Sequence, residues 1–177
     1  VVSAGLFSGD VSVKARGVDT QTSVTSADPY FPQTFDWYAA SGYPIDEDDE
    51  RSLARVCVLG TTTARNLFGD LDPIGQNLLV NKVQFRVKGV LSSRGMSPMG
   101  TDMDDRIWIP LSTGMRRVFN TDSIRFIRFK VREGFDVPAV IGELTALMRT
   151  RHRIQPGDED DFRLVTPDFF AQRVRSM

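Results

Sequence analysis

Asp104 and Asp105, set directly before Arg106, are the residues best suited to acid–base chemistry in this chain. Two carboxylates that share a site titrate apart and so divide the roles of acid and base, but only if both point into it. Neighbours in an extended segment point to opposite faces, so the adjacency favours a turn in which each carboxylate accepts hydrogen bonds from nearby amides. A small hydrolase or metal-dependent enzyme using Asp104 and Asp105 is the alternative that this motif keeps open. Other reactive groups are few. His152, the only histidine, sits among Arg149, Arg151 and Arg153 and reads as exposed capping of a helix end rather than as a general base. Cys57, the only cysteine, lies between Val56 and Val58 and reads as a small buried hydrophobe. A zinc site would have to be built mainly from carboxylates, which is rare. Neither acidic run, 46–50 or 158–161, has the alternating spacing and glycine of a calcium loop. Gly60 followed by Thr61-Thr62-Thr63-Ala64-Arg65 has the outline of a phosphate loop after a strand, without the glycine-lysine pair that holds a nucleotide. No catalytic residue, metal or cofactor is expected.

Length and composition narrow the class further. The 177 residues, 41% of them hydrophobic, suffice for a buried core in one domain or two small ones. A formal net charge of -1 argues against a nucleic-acid partner. No window approaches the roughly 20 apolar residues that span a bilayer, and the N-terminal Val-Val-Ser-Ala-Gly has no signal-peptide pattern.

The elements that must position these groups follow from periodicity. Val11, Val13 and Ala15 alternate with polar residues, and the alternation resumes at Val18 to Val24 after Gly17, which predicts a β-hairpin. Asp28-Pro29-Tyr30-Phe31-Pro32 ends that sheet, and Phe35-Asp36-Trp37-Tyr38 is expected to pack rings over its edge. The acidic run 46–50 is either a solvated loop or the first turn of a short helix. Val56 to Leu59 predicts a central strand, followed by a helix over 64–68 capped by the threonine hydroxyls and stopped at Gly69. A second hairpin is expected around Asn81-Lys82. Residues 92–105 form a long loop bearing Met96, Met99 and Met103, three flexible thioethers that suit an adaptable contact surface and would equally suit a loop folded back on its own body. Further on, a strand begins at Phe126 or carries a bulge there. A helix follows, with Asp136 as N-cap and an apolar stripe of Val137, Val140, Ile141, Leu144, Leu147 and Met148. Phe162, Leu164 and Val165 predict a last strand, which would complete a right-handed βαβ unit. A β-rich rhythm thus gives way to a βαβ rhythm at about Asp122.

Residues 56–110 join a strand ending in Gly60, Leu67-Phe68-Gly69, Asp72-Pro73-Ile74-Gly75, Val87-Lys88-Gly89-Val90, and Asp104-Asp105 before Ile109-Pro110. With Leu111-Ser112-Thr113, Asp28-Pro29-Tyr30-Phe31 and residues 152–162, this order resembles the extracytoplasmic domain of a MacB-type ABC transporter permease. One departure is Gly42-Tyr43, where the family usually has glycine-arginine. The resemblance implies an α+β fold in which a β-rich Sabre-like subdomain, residues 11–121, is inserted in a βαβ-containing Porter-like subdomain, residues 1–10 and 122–177. The first βαβ unit would lie upstream of Val1, which with the missing initiator Met fits a piece cut from a longer protein. The resemblance also implies a non-catalytic periplasmic or extracellular domain of a cytoplasmic-membrane protein. Its partners would be a cognate ABC ATPase, reached through membrane helices, and a periplasmic adaptor; the parent would be a dimer working by mechanotransmission. Met96, Met99 and Met103 would contribute to partner contact, and Phe170, Val174 and Met177 would lie in the linker to the second membrane helix.

Overall fold

The first alternating run is longer than the hairpin it predicts. In the computed structural model, which describes residues 1–166, β1 spans Val2–Ala15 and turns through Arg16-Gly17 into β2, Val18–Ala27. Both turn residues have positive φ, 51° and 80°, the geometry that matches the twist of a tight hairpin. The β1–β2 register shifts between Ser8 and Val11, a bulge that falls between the stretch of β1 paired with β8 and the stretch paired with β5.

The chain continues with α1 (Phe31–Phe35), β3 (Ala39–Gly42), α2 (Glu47–Arg51), β4 (Val56–Leu59) and α3 (Thr61–Phe68). Then come β5 (Asn77–Val80), β6 (Val83–Leu91), β7 (Arg106–Pro110), α4 (Leu111–Thr113), a π-helical turn at Gly114–Val118, β8 (Phe126–Phe129) and α5 (Val137–His152). The fold is α+β. Hydrogen bonding runs β2-β7-β4-β6-β5-β1, and the β1–β2 pairing joins the two ends of that path into a closed barrel. Closure removes the free edges that a flat sheet would expose. β3 attaches to β6, and β8 attaches to the first residues of β1 through Val2↔Phe129 to Gly5↔Phe126.

Strands β4 and β7 are apolar at nearly every position because both of their faces are covered. Cys57, Leu59, Ile107 and Ile109 meet Val13, Val24, Phe85 and Val87 in the first core, which α3 joins through Ala64, Leu67 and Phe68. Val56, Val58 and Trp108 face the other way, against Phe31, Trp37 and Ile45 in a second core. On β6 the pairing skips Lys88, Cys57 opposing Val87 and Val58 opposing Gly89, so the alternation changes phase and Leu91 joins the second core. Each fully buried large side chain of this kind contributes roughly 1.5 to 3 kcal/mol.

Two expectations are corrected here. The threonine hydroxyls do not cap α3; Gly60 is its N-cap, because a Cβ there would lie 2.1 Å from the carbonyl oxygen of Asp104. Thr62 and Thr63 sit inside the first turn and turn their hydroxyls to Asp102 and Asp105. Nor do residues 162–165 form a strand: among the described residues none follows α5, so no βαβ unit is completed. The acidic run before them is held at the helix end instead, where Asp160 pairs with Arg149, Asp161 lies 2.7 Å from His152 Nδ1, and the Phe162 ring sits edge-on to the His152 ring.

The chain divides into two compact units, Val1–Lys130 and the residues from Val131 onward, so β8 belongs with the barrel. In the second unit α5 starts as expected, the Asp136 carboxylate accepting from the Ala139 amide at 3.0 Å. None of its residues is buried, and Leu147 in the apolar stripe is 51% exposed. Residues 170, 174 and 177, expected in a linker, lie outside the described residues.

Candidate functional site

The loop of residues 92–105 connects β6 to β7 and is secured at its base. Trp37 Nε1 donates to the Ser92 carbonyl at 2.7 Å, and the Ser92 amide returns a bond to the Tyr38 carbonyl at 2.9 Å. Trp37 is fully buried rather than laid over a sheet edge, and the guanidinium carbons of Arg94 and Arg106 lie 4.6 and 4.7 Å from its ring centre. Such stacking is worth more where water is excluded. Burial first, and then the nearby Arg94 charge, pulls Arg106 below the usual guanidinium range. Arg106 Nε donates to the Met103 carbonyl at 2.7 Å, tying the second leg of the loop to the same ring.

Asp104 joins the two legs. Its side chain is on a residue only 3% exposed, and it accepts from Ser93 Oγ, from the Arg94 amide at 2.7 Å and from the Gly95 amide at 2.9 Å. Burial alone would favour the neutral acid, but these hydrogen bonds outweigh it and hold the carboxyl below its ordinary range. Asp105 points away and accepts from Thr22 Oγ1 at 2.6 Å and Thr63 Oγ1 at 2.9 Å. The two carboxylates therefore serve separate sets of donors and share no site.

Past this base the legs pair once, Met96 with Asp102, and close through a turn in which the Ser97 amide bonds to the Thr101 carbonyl at 2.8 Å. Met96 and Met99 are 64% and 81% exposed at that tip. Met103 does not join them. Its amide bonds to the Gly95 carbonyl at 2.9 Å, and its side chain packs against the second core. Two exposed thioethers thus stand on a stiff stem, and the third belongs to the stem's seat.

The other candidate groups stay apart. Cys57 is fully buried, and burial pushes its thiol far above the ordinary range. His152 faces Asp161 at the end of α5. One surface cleft, of about 570 Å³, is lined by Lys14, Arg16, Val18, Asn77 and Leu79 among others, and another, of about 220 Å³, by Phe7, Phe119 and Arg125 among others. Asp104, Asp105, Cys57 and His152 line neither. Among the described residues no three His, Cys, Asp or Glu side chains are grouped to hold a metal ion, and no helix is long and apolar enough to cross a membrane.

Sequence reading missed three features here. The acidic run 46–50 is the start of a short helix, α2, one of its two expected readings, but its contacts were not foreseen: Asp46 and Asp49 exchange side-chain bonds with each other's amides and both pair with Lys88 at the β6 bulge. The Lys88 bonds come first in holding the Asp46 carboxyl below its ordinary range. The spacing of three between Asp46 and Asp49 was the available signal. Helix α1 was hidden by Pro29 and Pro32, although Pro32 occupies the first turn, where its missing N–H is harmless. The seating of Trp37 between distant arginines has no local signature.

Comparisons agree with this architecture. Residues 1–147 match the family described as MacB-like periplasmic core domain. The macrolide export ATP-binding/permease protein MacB of Azoarcus sp. (strain BH72) is 35% identical over 148 residues, covering 84% of this chain and 23% of that protein. The pyoverdine export ATP-binding/permease protein PvdT of Pseudomonas syringae pv. tomato is 34% identical over 145 residues, covering 81% of this chain and 22% of that protein. The chain thus spans less than a quarter of the length of these relatives. The crystal structure of the periplasmic region of MacB from Actinobacillus actinomycetemcomitans superposes with a TM-score of 0.81 at 20% identity, covering 99% of this chain and 76% of that one. The extracellular domain of the transporter YknZ from Gram-positive bacteria gives a TM-score of 0.75 at 16% identity, covering 87% of this chain and 76% of that one. By its match over residues 1–147, by its curated relatives and by its fold, the chain belongs to the family of MacB-like periplasmic core domains.

Proposed function

We propose that this chain is the non-catalytic extracytoplasmic domain of an ABC transporter permease seated in the cytoplasmic membrane. It works by mechanotransmission: a cognate ATPase hydrolyses ATP on the cytoplasmic side, membrane helices move, and the domain passes that motion to cargo or to a periplasmic adaptor. The observation that carries this reading is the family match, whose curated relatives are named as export ATP-binding/permease proteins. Two features of the barrel unit support it. Its reactive groups are dispersed and engaged in structure, and the two surface clefts described above are lined by none of them. Its two ends also leave side by side, the Val1 amine donating to the Lys130 carbonyl at 3.1 Å. A body joined to its surroundings through one pair of strands turns as a whole when that pair is moved.

In this reading the parent is a dimer, residues 11–121 form the Sabre-like part and residues 1–10 and 122–177 the Porter-like part, so that the boundary between the two parts falls inside the compact unit Val1–Lys130. Met96 and Met99 form the partner contact, with Met103 supporting them from below. The test is a Met96→Asp, Met99→Asp double substitution in the intact transporter. Export should fall while ATP hydrolysis in detergent continues, and the thermal midpoint of the isolated chain should stay put. Turnover of generic ester or phosphoester substrates by the isolated chain, lost on Asp104→Asn, would instead restore the enzyme alternative.

A further inference from the structure

Helix α1 ends in carbonyls that have no partner within the helix, and two arginines far apart in sequence occupy them. Arg128 on β8 donates Nε to the Thr34 carbonyl at 3.0 Å and lays its guanidinium 4.2 Å from the Phe35 ring centre. Arg94, in the stem of the methionine loop, donates to the Phe35 carbonyl and, at 2.8 Å, to the Asp36 carbonyl. Residues 34–37 are therefore held by the strand through which the barrel unit ends and by the loop that carries its exposed thioethers.

The grip on the β8 side is built at strand periodicity. Phe126, Arg128 and Lys130 point the same way. The Phe126 ring meets Phe35 edge-on at 6.2 Å, Arg128 bonds and stacks as above, and Lys130 pairs with Asp36. At its other end α1 is fixed in the second core by Phe31, which stacks on Phe35 at 4.4 Å and meets Trp108 at 5.2 Å. Between these anchors Asp36 is left-handed, φ 50° and ψ 41°, a conformation that a residue with a Cβ adopts only at a cost. Contacts on both sides maintain it.

We infer that the C-terminal turn of α1 is a coupling element, in which Arg128 and Arg94 are positioning residues that tie the set of the methionine loop to the position of β8. The inference rests on the mechanical reading above and names where motion of the strand root reaches the contact tip. Displacing β8 withdraws Arg128 and Lys130, the turn at Asp36 relaxes, and the acceptors that orient Arg94 beside Trp37 move with it.

The test is amide hydrogen exchange on the full 177-residue chain with Arg128→Ala and, keeping the charge but not the stacked plane, Arg128→Lys. The reporters are the Gly95 amide, bonded to Asp104, and the Met103 amide, bonded to the Gly95 carbonyl. Barrel controls are the Asn81 and Val87 amides, bonded to the Ser12 and Gln76 carbonyls. Coupling predicts about tenfold faster exchange at Gly95 and Met103 with less than about twofold change at the controls, a smaller rise of the same kind for Arg128→Lys, and little further effect of Arg128→Ala on an Arg94→Ala background. Unchanged loop exchange in both variants overturns the proposal, and so does an equal rise at loop and controls. Exchange reads the coupling and the export assay reads the mechanical role, so each can fail without the other.

Discussion

Replacing Asp104 should weaken the barrel unit more than any other single carboxylate change, and the size follows from its contacts. The carboxylate accepts from Ser93 Oγ and from two backbone amides at 2.7 and 2.9 Å, on a residue 3% exposed. Hydrogen bonds to a charged group are worth about 1.5 kcal/mol or more each, and removing the acceptor strands two amides that the loop cannot readily turn to water. Asp104→Ala should therefore cost about 3 to 5 kcal/mol, and Asp104→Asn about 2 kcal/mol, since the amide keeps one acceptor but faces donors with donors. Urea unfolding followed by tryptophan fluorescence suits the measurement, because Trp37 and Trp108, the chain's two tryptophans, both lie in the barrel unit. The pH dependence has a defined sign. A carboxyl held below its ordinary value of 3.8 stabilises fully above that value and loses its contribution as pH falls through the folded-state value. The gap between wild type and Asp104→Asn should accordingly be level from pH 7 down to about 5 and narrow below about 4. A cost under about 1 kcal/mol for Asp104→Ala, or a gap that widens on acidification, would refute the assignment of Asp104 as the clasp of the loop.

Three further outcomes are expected. Lys88→Met should cost about 1 kcal/mol, because Lys88 is largely shielded between Asp46 and Asp49. Burial works against its charge, but the two carboxylates raise its pKa above the ordinary 10.5, so denaturation curves of wild type and variant should converge as pH rises past that value. Met103→Ala should cost about 1 to 2 kcal/mol in urea unfolding, whereas Met96→Ala and Met99→Ala should change stability by less than about 0.5 kcal/mol, following their different burial. Gly60→Ala should cost about 3 kcal/mol by thermal or urea unfolding, since its Cβ would meet the Asp104 carbonyl oxygen at 2.1 Å, a backbone atom that cannot swing aside.

Much of the barrel was legible because its strands obey simple periods. The hairpin at Gly17, the apolar run Val56–Leu59 and the hairpin at Asn81-Lys82 all form where alternation and turn residues put them. The limits came from contacts that no local pattern encodes. Barrel closure depends on β1 pairing with both β2 and β5, far apart in sequence. The threonines at the start of α3 looked like caps because hydroxyls usually cap, yet the approach of Asp104 decided for glycine and sent the hydroxyls to Asp102 and Asp105. The opposed directions of Asp104 and Asp105 were readable from adjacency alone, whereas their partners were not. Of the three methionines, spacing placed all on one loop, and it takes the pairing of Met96 with Asp102 and the packing of Met103 on the second core to distinguish the tip from the seat.

The neighbouring ends of the barrel unit also bear on how such a protein diversifies. Val1 and Lys130 exchange hydrogen bonds at 3.1 and 2.9 Å, so the chain between them is one excursion from a single pair of neighbouring strands. A module with that geometry can be grafted into a host, lengthened at its outer turns or exchanged for a homologous one, because the host need only supply two adjacent strand ends.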